Sequence, residues 1–511
     1  MSIVVAHLVY RPVVWWTCGG RRCRAPISSR AGGRGVTWRL PAAVRVEGPG
    51  GATLEGMDKL LSAVDARFEE NLQALEAFIR IPSVSSPSFD QSTLEDSAAW
   101  VAAQLAEAGL EPTVSRGKNP DGTPGRPAVT ASLPAAPGKP TVLLYAHHDV
   151  QPGGDPATWT TPGGPFEPHR RDGRLFGRGS ADDGAGLLAH VGALKALRDV
   201  YGAHGIGIRI FFEGEEESGS PSFEDFLATH REELSADVIV VADSSNWTTE
   251  IPSLTTSLRG VVDCEVELRV ASGAMHSGMY GGPILDAVTL MARLIATLHD
   301  EKGDVAVPGL VVKNESDVDY VEADLREATG VVDSYQLAGT GTLAARIWTK
   351  PAISVIGLDA TSVANASNTI APVCRAVISM RVAPGQDTQA AMDALTTHLI
   401  DNAPFGAQVT VKPGDQGPAF DASACAGKAG EVKRWALEQA FGHAPVDTGI
   451  GGSIPFISTF AEVYPDAEIL VTGVEDPYSK AHSEDESVDI ESLRKVIGAE
   501  ALFLARLGSL L

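Results

Sequence analysis

The sequence predicts an α/β protein with a largely parallel sheet, interrupted by an inserted ferredoxin-like domain, and three observations carry that prediction. Apolar runs that read as buried strands alternate with helical periods between residues 141 and 242. A β-α-β-β-α-β order, the ferredoxin-like arrangement, then fills 258–418. After Pro418 the alternation of helix and strand resumes, which makes the middle segment an insertion.

The elements follow in chain order. Lys59 to Arg80 carries apolar residues at helical spacing (Leu61, Val64, Phe68, Leu72, Leu75, Phe78, Ile79) and stops before Pro82. Ser92-Thr-Leu-Glu95 reads as a capping box, opening a helix that ends near Gly109. Strands are expected at 141–146, 206–212 and 237–242, with helices at 184–199 and 221–232 between and beside them. In the insertion, Val261 to Val270 alternates as a half-exposed strand and 283–300 is helical behind Pro283. Strands at 352–358, 373–382 and 407–412 and a helix at 387–401 complete it, around a polar, Gly/Thr-rich excursion at 302–350. Helices near 427–441 and 454–462 and a strand at 468–471 close the pattern. The expected organisation is therefore a catalytic domain from 57–257 and 419–511, with a lid of 258–418.

Composition narrows the function. A formal charge of −24 argues against nucleic acid or an anionic membrane as partner, and no apolar run reaches the roughly 18–20 residues a membrane helix needs. Five scattered cysteines suit a reducing, cytoplasmic compartment and not a disulfide framework. Residues 1–56 stand apart, with eight Arg, no Lys or Asp, and only Glu47 and Glu55. Such a leader resembles an organelle transit peptide in composition. The preferred expectation is that the natural start is Met57 and that the upstream segment is mis-translated or disordered.

Four predicted strands end in a potential metal donor. Thr141–Ala146 runs into His147 and, two positions on, Asp149; 206–212 runs into Glu213-Gly-Glu-Glu216-Glu217. Asp237–Ala242 is followed by Asp243, and the loop after Glu468–Val471 carries His482. Singly, each has an ordinary explanation; Asp182, for example, precedes a helix as an N-cap would. Jointly they converge, because the crevice of an open α/β sheet lies beyond the carboxyl ends of its strands. Imidazoles and carboxylates without a thiol describe a hydrolytic metal centre. A ligating imidazole needs a partner for its second nitrogen, and Asp149 is placed to be that partner.

Ala146-His147-His148-Asp149-Val-Gln-Pro152, Gly177-Arg-Gly-Ser-Ala-Asp182-Asp183, Glu213-Gly-Glu-Glu216-Glu217-Ser-Gly-Ser220, Ala242-Asp243 and Ala481-His482-Ser483 occur in one order over 57–511. They resemble the di-zinc metallopeptidase family that includes carnosinase-type dipeptidases, aminoacylase, glutamate carboxypeptidase, acetylornithine deacetylase and succinyl-diaminopimelate desuccinylase. The resemblance implies a zinc-peptidase-like catalytic domain with a lid that mediates homodimerisation, and two Zn2+ per subunit; Mn2+ or Co2+ would suit the same donors. It implies that His147, Asp182 and Asp243 hold one ion, and that Asp182 bridges to a second held by Glu217 and His482. Which of Asp243 and Glu217 accompanies which imidazole rests on the analogy alone. Glu216 is implied as the general base, a role that requires it not to be a tightly bound ligand.

In the insertion, Ser272-Gly-Ala-Met-His276 resembles the lid segment whose His stabilises the oxyanion in the partner subunit's site. Ser379-Met-Arg381 resembles the strand whose Arg grips the substrate's terminal carboxylate, a task suited to its bidentate fork. Asn368 matches a lid position that touches substrate across the dimer. Gly451-Gly452-Ser453-Ile-Pro455 resembles a loop whose amides meet the substrate at a helix start. Two departures stand out: Gly184 replaces the Lys frequent after the Asp-Asp pair, and Glu215 has no implied role. The expected activity is hydrolysis of dipeptides with a free carboxylate. The Val-Gln-Pro and Glu-Glu-Ser-Gly-Ser patterns favour this over the alternative, an N-acyl-amino-acid deacylase or desuccinylase of identical chemistry.

Overall fold

The computed structural model describes residues 17–18, 21–22, 54–422, 427–452 and 454–511. The chain forms two compact units, Met1–Gly51 and Ala52–Leu511. In the first, the described part is a short antiparallel ladder of Thr17–Cys18 with Arg21–Arg22. The expectation for the leader falls almost entirely outside the described residues. One boundary changes: the first helix spans Leu54–Ile79, so it begins three residues before Met57, whose side chain packs in the core.

The second unit is built on a nine-stranded sheet. At its centre Glu468–Val471, Val238–Val241, Thr141–His147 and Gly207–Glu213 lie side by side, all parallel. The flanks turn antiparallel, through Ala128–Leu133 and Thr113–Ser115 on one side and Ser253–Leu258 on the other. The parallel expectation thus holds where strands are buried on both faces and gives way toward the edges. Along the Thr141 strand, Val142, Leu144 and Ala146 enter one core with helices Leu54–Ile79, Gly184–Tyr201 and Ile490–Leu507. Leu143 and Tyr145 enter the other, against Phe456 and Phe460 of helix Pro455–Val463. Two-sided burial explains why these strands read as unbroken apolar runs.

The insertion is a four-stranded antiparallel sheet in the order Ala352–Leu358, Val373–Val382, Gly260–Arg269, Gln408–Gly417. Val262, Cys264, Val266 and Leu268 point inward, and helices Ala287–Ala296 and Thr388–Asp401 cover that face. This is the ferredoxin-like order expected. The first of those helices starts later than 283 because Asp286 caps it, accepting from Thr289 N at 2.9 Å, and it ends at Ala296. The excursion carries two helices the sequence pattern hid, Glu322–Thr329 and Leu343–Trp348.

The capping box at Ser92 is not formed. Ser92 has helical dihedrals and its hydroxyl donates to Asp90 Oδ1 at 2.7 Å, while Glu95 pairs with Arg116 across the surface. The hydroxyl donates to the preceding Asp instead of accepting from a helix amide, a local side-chain bond that competes with capping. Among the described residues no helix is long and apolar enough to cross a membrane.

Candidate metal centre

The carboxyl edge of the parallel strands gathers the donors. His147 ends its strand fully buried; its Nδ1 lies 3.0 Å from the carbonyl oxygen of Asp149 and 3.5 Å from that residue's Oδ1. Its Nε2 lies 2.9 Å from Asp182 Oδ1. The other oxygen of Asp182 lies 2.9 Å from His482 Nε2, which is also 3.1 Å from Glu217 Oε2. Asp182 therefore turns one oxygen to each imidazole. The donor atoms of His147, Asp182 and Asp243, and those of Asp182, Glu217 and His482, form two groups each within 4.8 Å, sharing Asp182.

Electrostatics shows what the edge needs. Burial, with Asp182 and Glu217 nearby, pushes the Asp243 carboxyl up to about 7 against the opposing pull of the imidazoles. Burial likewise raises Glu216 and Glu217. Asp182 goes the other way, because its bonds to His147 and His482 outweigh its burial, and bonds to Asp182 and Glu217 lift His482 to about 11. Crowded carboxylates of hard oxygen donors beside two imidazoles fit divalent cations and relieve this repulsion when such ions bind.

Neighbouring segments hold several of these groups in place. Asp149 supports His147 mainly through its carbonyl, and its carboxylate accepts from Glu216 N at 3.2 Å and Glu217 N at 3.0 Å. The expected closeness of His147 to the Asp149 carboxylate is present at 3.5 Å, and the same carboxylate also fixes the turn that separates the two glutamates. Glu217 is tied further by Gln151, whose N and Nε2 donate to its carboxylate at 3.1 and 2.7 Å. Glu216 has no hydrogen bond to its carboxyl among the described residues. Asp182 is not the N-cap of the following helix; Asp183 occupies that position and accepts from His147 N at 3.2 Å.

Other residues fall into place around them. Glu215 accepts from Ser222 N and Oγ at 2.7 and 2.6 Å and from Arg126 N at 2.9 Å, so it ties loops together. His148 bridges Ser97 Oγ and the Pro127 carbonyl, and burial lowers it to about 4, leaving it neutral. Glu486 was missed by sequence reasoning. Buried, it accepts from Ala181 N at 3.0 Å and Asp182 N at 3.2 Å and pairs with Arg178 at 2.7 Å.

The family model for peptidase family M20/M25/M40 matches residues 143–506, which span the whole edge. The chain belongs to peptidase family M20. This M20 chain is 34% identical over 447 residues to the cysteinylglycine-S-conjugate dipeptidase of Corynebacterium striatum, covering 86% of the chain and 96% of that relative. It is 27% identical over 474 residues to the Cys-Gly metallodipeptidase dug1 of Schizosaccharomyces pombe, covering 89% and 98%. In fold it is similar to human carnosine dipeptidase 1, with a TM-score of 0.66 at 22% identity over 90% of the chain and 100% of that protein. It is a metallopeptidase, and the N-acyl-amino-acid alternative recedes.

The remaining candidates of this M20 chain lie elsewhere in the second unit. His276 is exposed; its Nδ1 accepts from Gly278 N at 3.0 Å. Its strand pairs with Thr369, and Ser277 N donates to the carbonyl of Asn368 at 3.0 Å, so these two candidates are neighbours. Among the described residues, no hydrogen bond joins either of them to the carboxylate edge. Arg381 is half-buried on the strand Val373–Val382. Gly452 follows the strand Val446–Ile450, just before the helix at Pro455; Ser453 lies outside the described residues.

Proposed function

We propose that this M20 metallopeptidase hydrolyses dipeptides bearing a free C-terminal carboxylate, using two divalent cations, zinc foremost. His147, Asp182 and Asp243 would hold one, and Asp182, Glu217 and His482 the other. The observation that carries the reading is the orientation of Asp182, one oxygen toward each imidazole with a further carboxylate in each group. Bound there, the ions would supply Lewis acidity toward water and the scissile carbonyl.

The chain's own groups do the rest. Glu216, untied and raised in proton affinity, takes a proton from the attacking water and returns it to the leaving amine. Asp149 holds the Glu216–Glu217 turn so that one glutamate moves protons while the other stays fixed. Arg381 takes the substrate carboxylate, and Gly452 and Ser453 offer backbone amides beside it. His276 and Asn368 serve the site of a second copy in a homodimer, which accounts for their lack of bonds to their own edge.

The relatives' names, Cys-Gly and Beta-Ala-His dipeptidases, support dipeptides as the substrate class. In this reading 57–257 and 419–511 form the catalytic domain, 258–418 the lid, and 1–56 stands outside both, in a cytoplasmic enzyme. Metal-loaded and chelator-treated protein should be assayed in parallel against Cys-Gly, other dipeptides and N-acyl amino acids. Metal-dependent cleavage confined to dipeptides is expected; preferential cleavage of N-acyl amino acids would overturn it.

A further inference from the structure

Arg259 occupies the crossing point between the two sheets, the single residue between strands Ser253–Leu258 and Gly260–Arg269. Its backbone N donates to the Ile450 carbonyl at 3.2 Å. Its guanidinium, buried at 9% exposure, donates from Nε to the Gly451 carbonyl at 2.8 Å. Nη1 donates to the carbonyls of Arg346 and Lys350, each at 3.3 Å, at the end of the helix Leu343–Trp348. One side chain therefore joins the Gly451–Gly452 turn to the excursion of the lid. The fit is close: a Cβ on Gly451 would lie 2.9 Å from Arg259 Nη2 and 2.9 Å from the Ile347 carbonyl.

All of these partners are neutral, and the charge has no acidic counterpart among the described residues. Strand pairing brings another cation close: Arg381 lies opposite Val261, two positions along the chain from Arg259. Burial, and then Arg381, lower Arg259 to about 10. Buried charges are ordinarily paired, and two neighbouring cations without a carboxylate make a place where an anion is stabilised. The Gly451 turn lies at the same place, held by the same guanidinium.

We propose that Arg259 is a positioning and specificity-determining residue: it fixes the Gly451–Gly452 turn and sets a second positive charge beside Arg381 for the substrate's terminal carboxylate. This rests on the dipeptidase reading, and it adds to it a determinant outside the metal edge and buried beneath the turn. Lysine would keep the charge but lacks the planar fork that spans three carbonyls.

The test compares a dipeptide with its C-terminal amide on fully metal-loaded enzyme. Arg259→Gln, which loses both charge and fork, should raise KM for the free dipeptide roughly 10-fold to 100-fold with little change in kcat, as loss of uniform binding does. The amide should be cleaved as by the parent enzyme, since it has no carboxylate to lose. An equal fall for both substrates would overturn the proposal, because a residue that merely supports the fold does not distinguish them. A second measurement leaves Arg259 intact, so that it holds even if the Arg259 variants fail to fold. Arg381→Ala should retain part of the preference for the free dipeptide over the amide; complete loss of preference would remove Arg259's charge from the site. If the parent enzyme itself cleaves amide and free dipeptide equally, the failure lies with the carboxylate reading as a whole, and the proposal falls with it.

Discussion

The carboxyl edge of the main sheet and the His276 region of the inserted domain both carry predicted site residues, but they are held in opposite ways. At the edge, His147, Asp149 and Asp182 are buried, and each is tied to a distant part of the chain: His147 to the Asp182 carboxylate, Asp149 to the amides of the Glu216 turn, Asp182 through its own amide to the Glu486 side chain. His276 is exposed and, among the described residues, its imidazole bonds only two residues away, to Gly278. A side chain fixed from several directions is preorganised before substrate arrives, which is what electrostatic catalysis requires. One fixed only by its own turn acquires its geometry from whatever docks on it. The edge is therefore preorganised within one chain, whereas the proposed role of His276 requires a second surface to fix its ring.

The largest effect expected lies at the edge, between neighbours. Glu216→Gln should lower kcat by roughly 10²–10⁴ while metal content stays near that of the parent. Glu217→Ala should instead lose metal, because Glu217 shares His482 and is held by Gln151. Metal analysis alongside kcat distinguishes the two. If Glu216→Gln lost its metal and Glu217→Ala kept it, the division of labour between untied and tied carboxylates would be reversed.

The other half of the comparison is tested by His276→Ala, which should cost roughly 10²–10³ in kcat, as loss of an oxyanion donor does. Its folding stability should be unchanged, since the ring is exposed and bonds only locally. In the proposed dimer, mixing it with Glu216→Gln and allowing subunits to exchange would create heterodimers in which one site has both intact Glu216 and a His276 from the other copy. Activity should recover on mixing. With exchange verified by mass, absence of recovery would show that His276 acts within its own subunit or outside catalysis.

Much of this was legible in the sequence. The Glu468–Val471 strand and the 352–358 and 373–382 strands fall where the apolar patterns put them. His147, Asp182, Glu217, Asp243 and His482 come together because parallel strands bring their carboxyl ends to one edge whatever the spacing in the chain. What stayed hidden depends on pairing that no local pattern encodes. Ser92 reads as a cap, but the sequence does not reveal that Asp90 takes its hydroxyl. Arg259 looks like an ordinary strand-end residue until the Gly451 turn and the helix Leu343–Trp348 are seen to meet on it. Glu486 sits in the run Glu484-Asp485-Glu486, where composition suggests three solvated acids and only the fold buries the third.

Glu486 offers the finest test of whether bracing is what makes the edge different. Its Oε1 accepts from the amides of Ala181 and Asp182, and its Oε2 pairs with the buried Arg178. Burial raises the carboxyl to about 7, although Arg178 and the two amides pull it down. In Glu486→Gln the amide oxygen can still accept from both backbone donors, but the NH2 cannot accept from Arg178. The guanidinium then lies buried without its anion, and the segment that carries Asp182 loses its anchor. Outer residues of this kind typically contribute about 10–100-fold to metal affinity. Competition against a chelator of known affinity should show metal binding weakened by that factor. The kcat measured at saturating metal should change far less, because the donors themselves remain. An unchanged affinity would mean that Asp182 keeps its place through its bonds to His147 and His482 alone, and that bracing from behind does not distinguish the edge from the inserted domain.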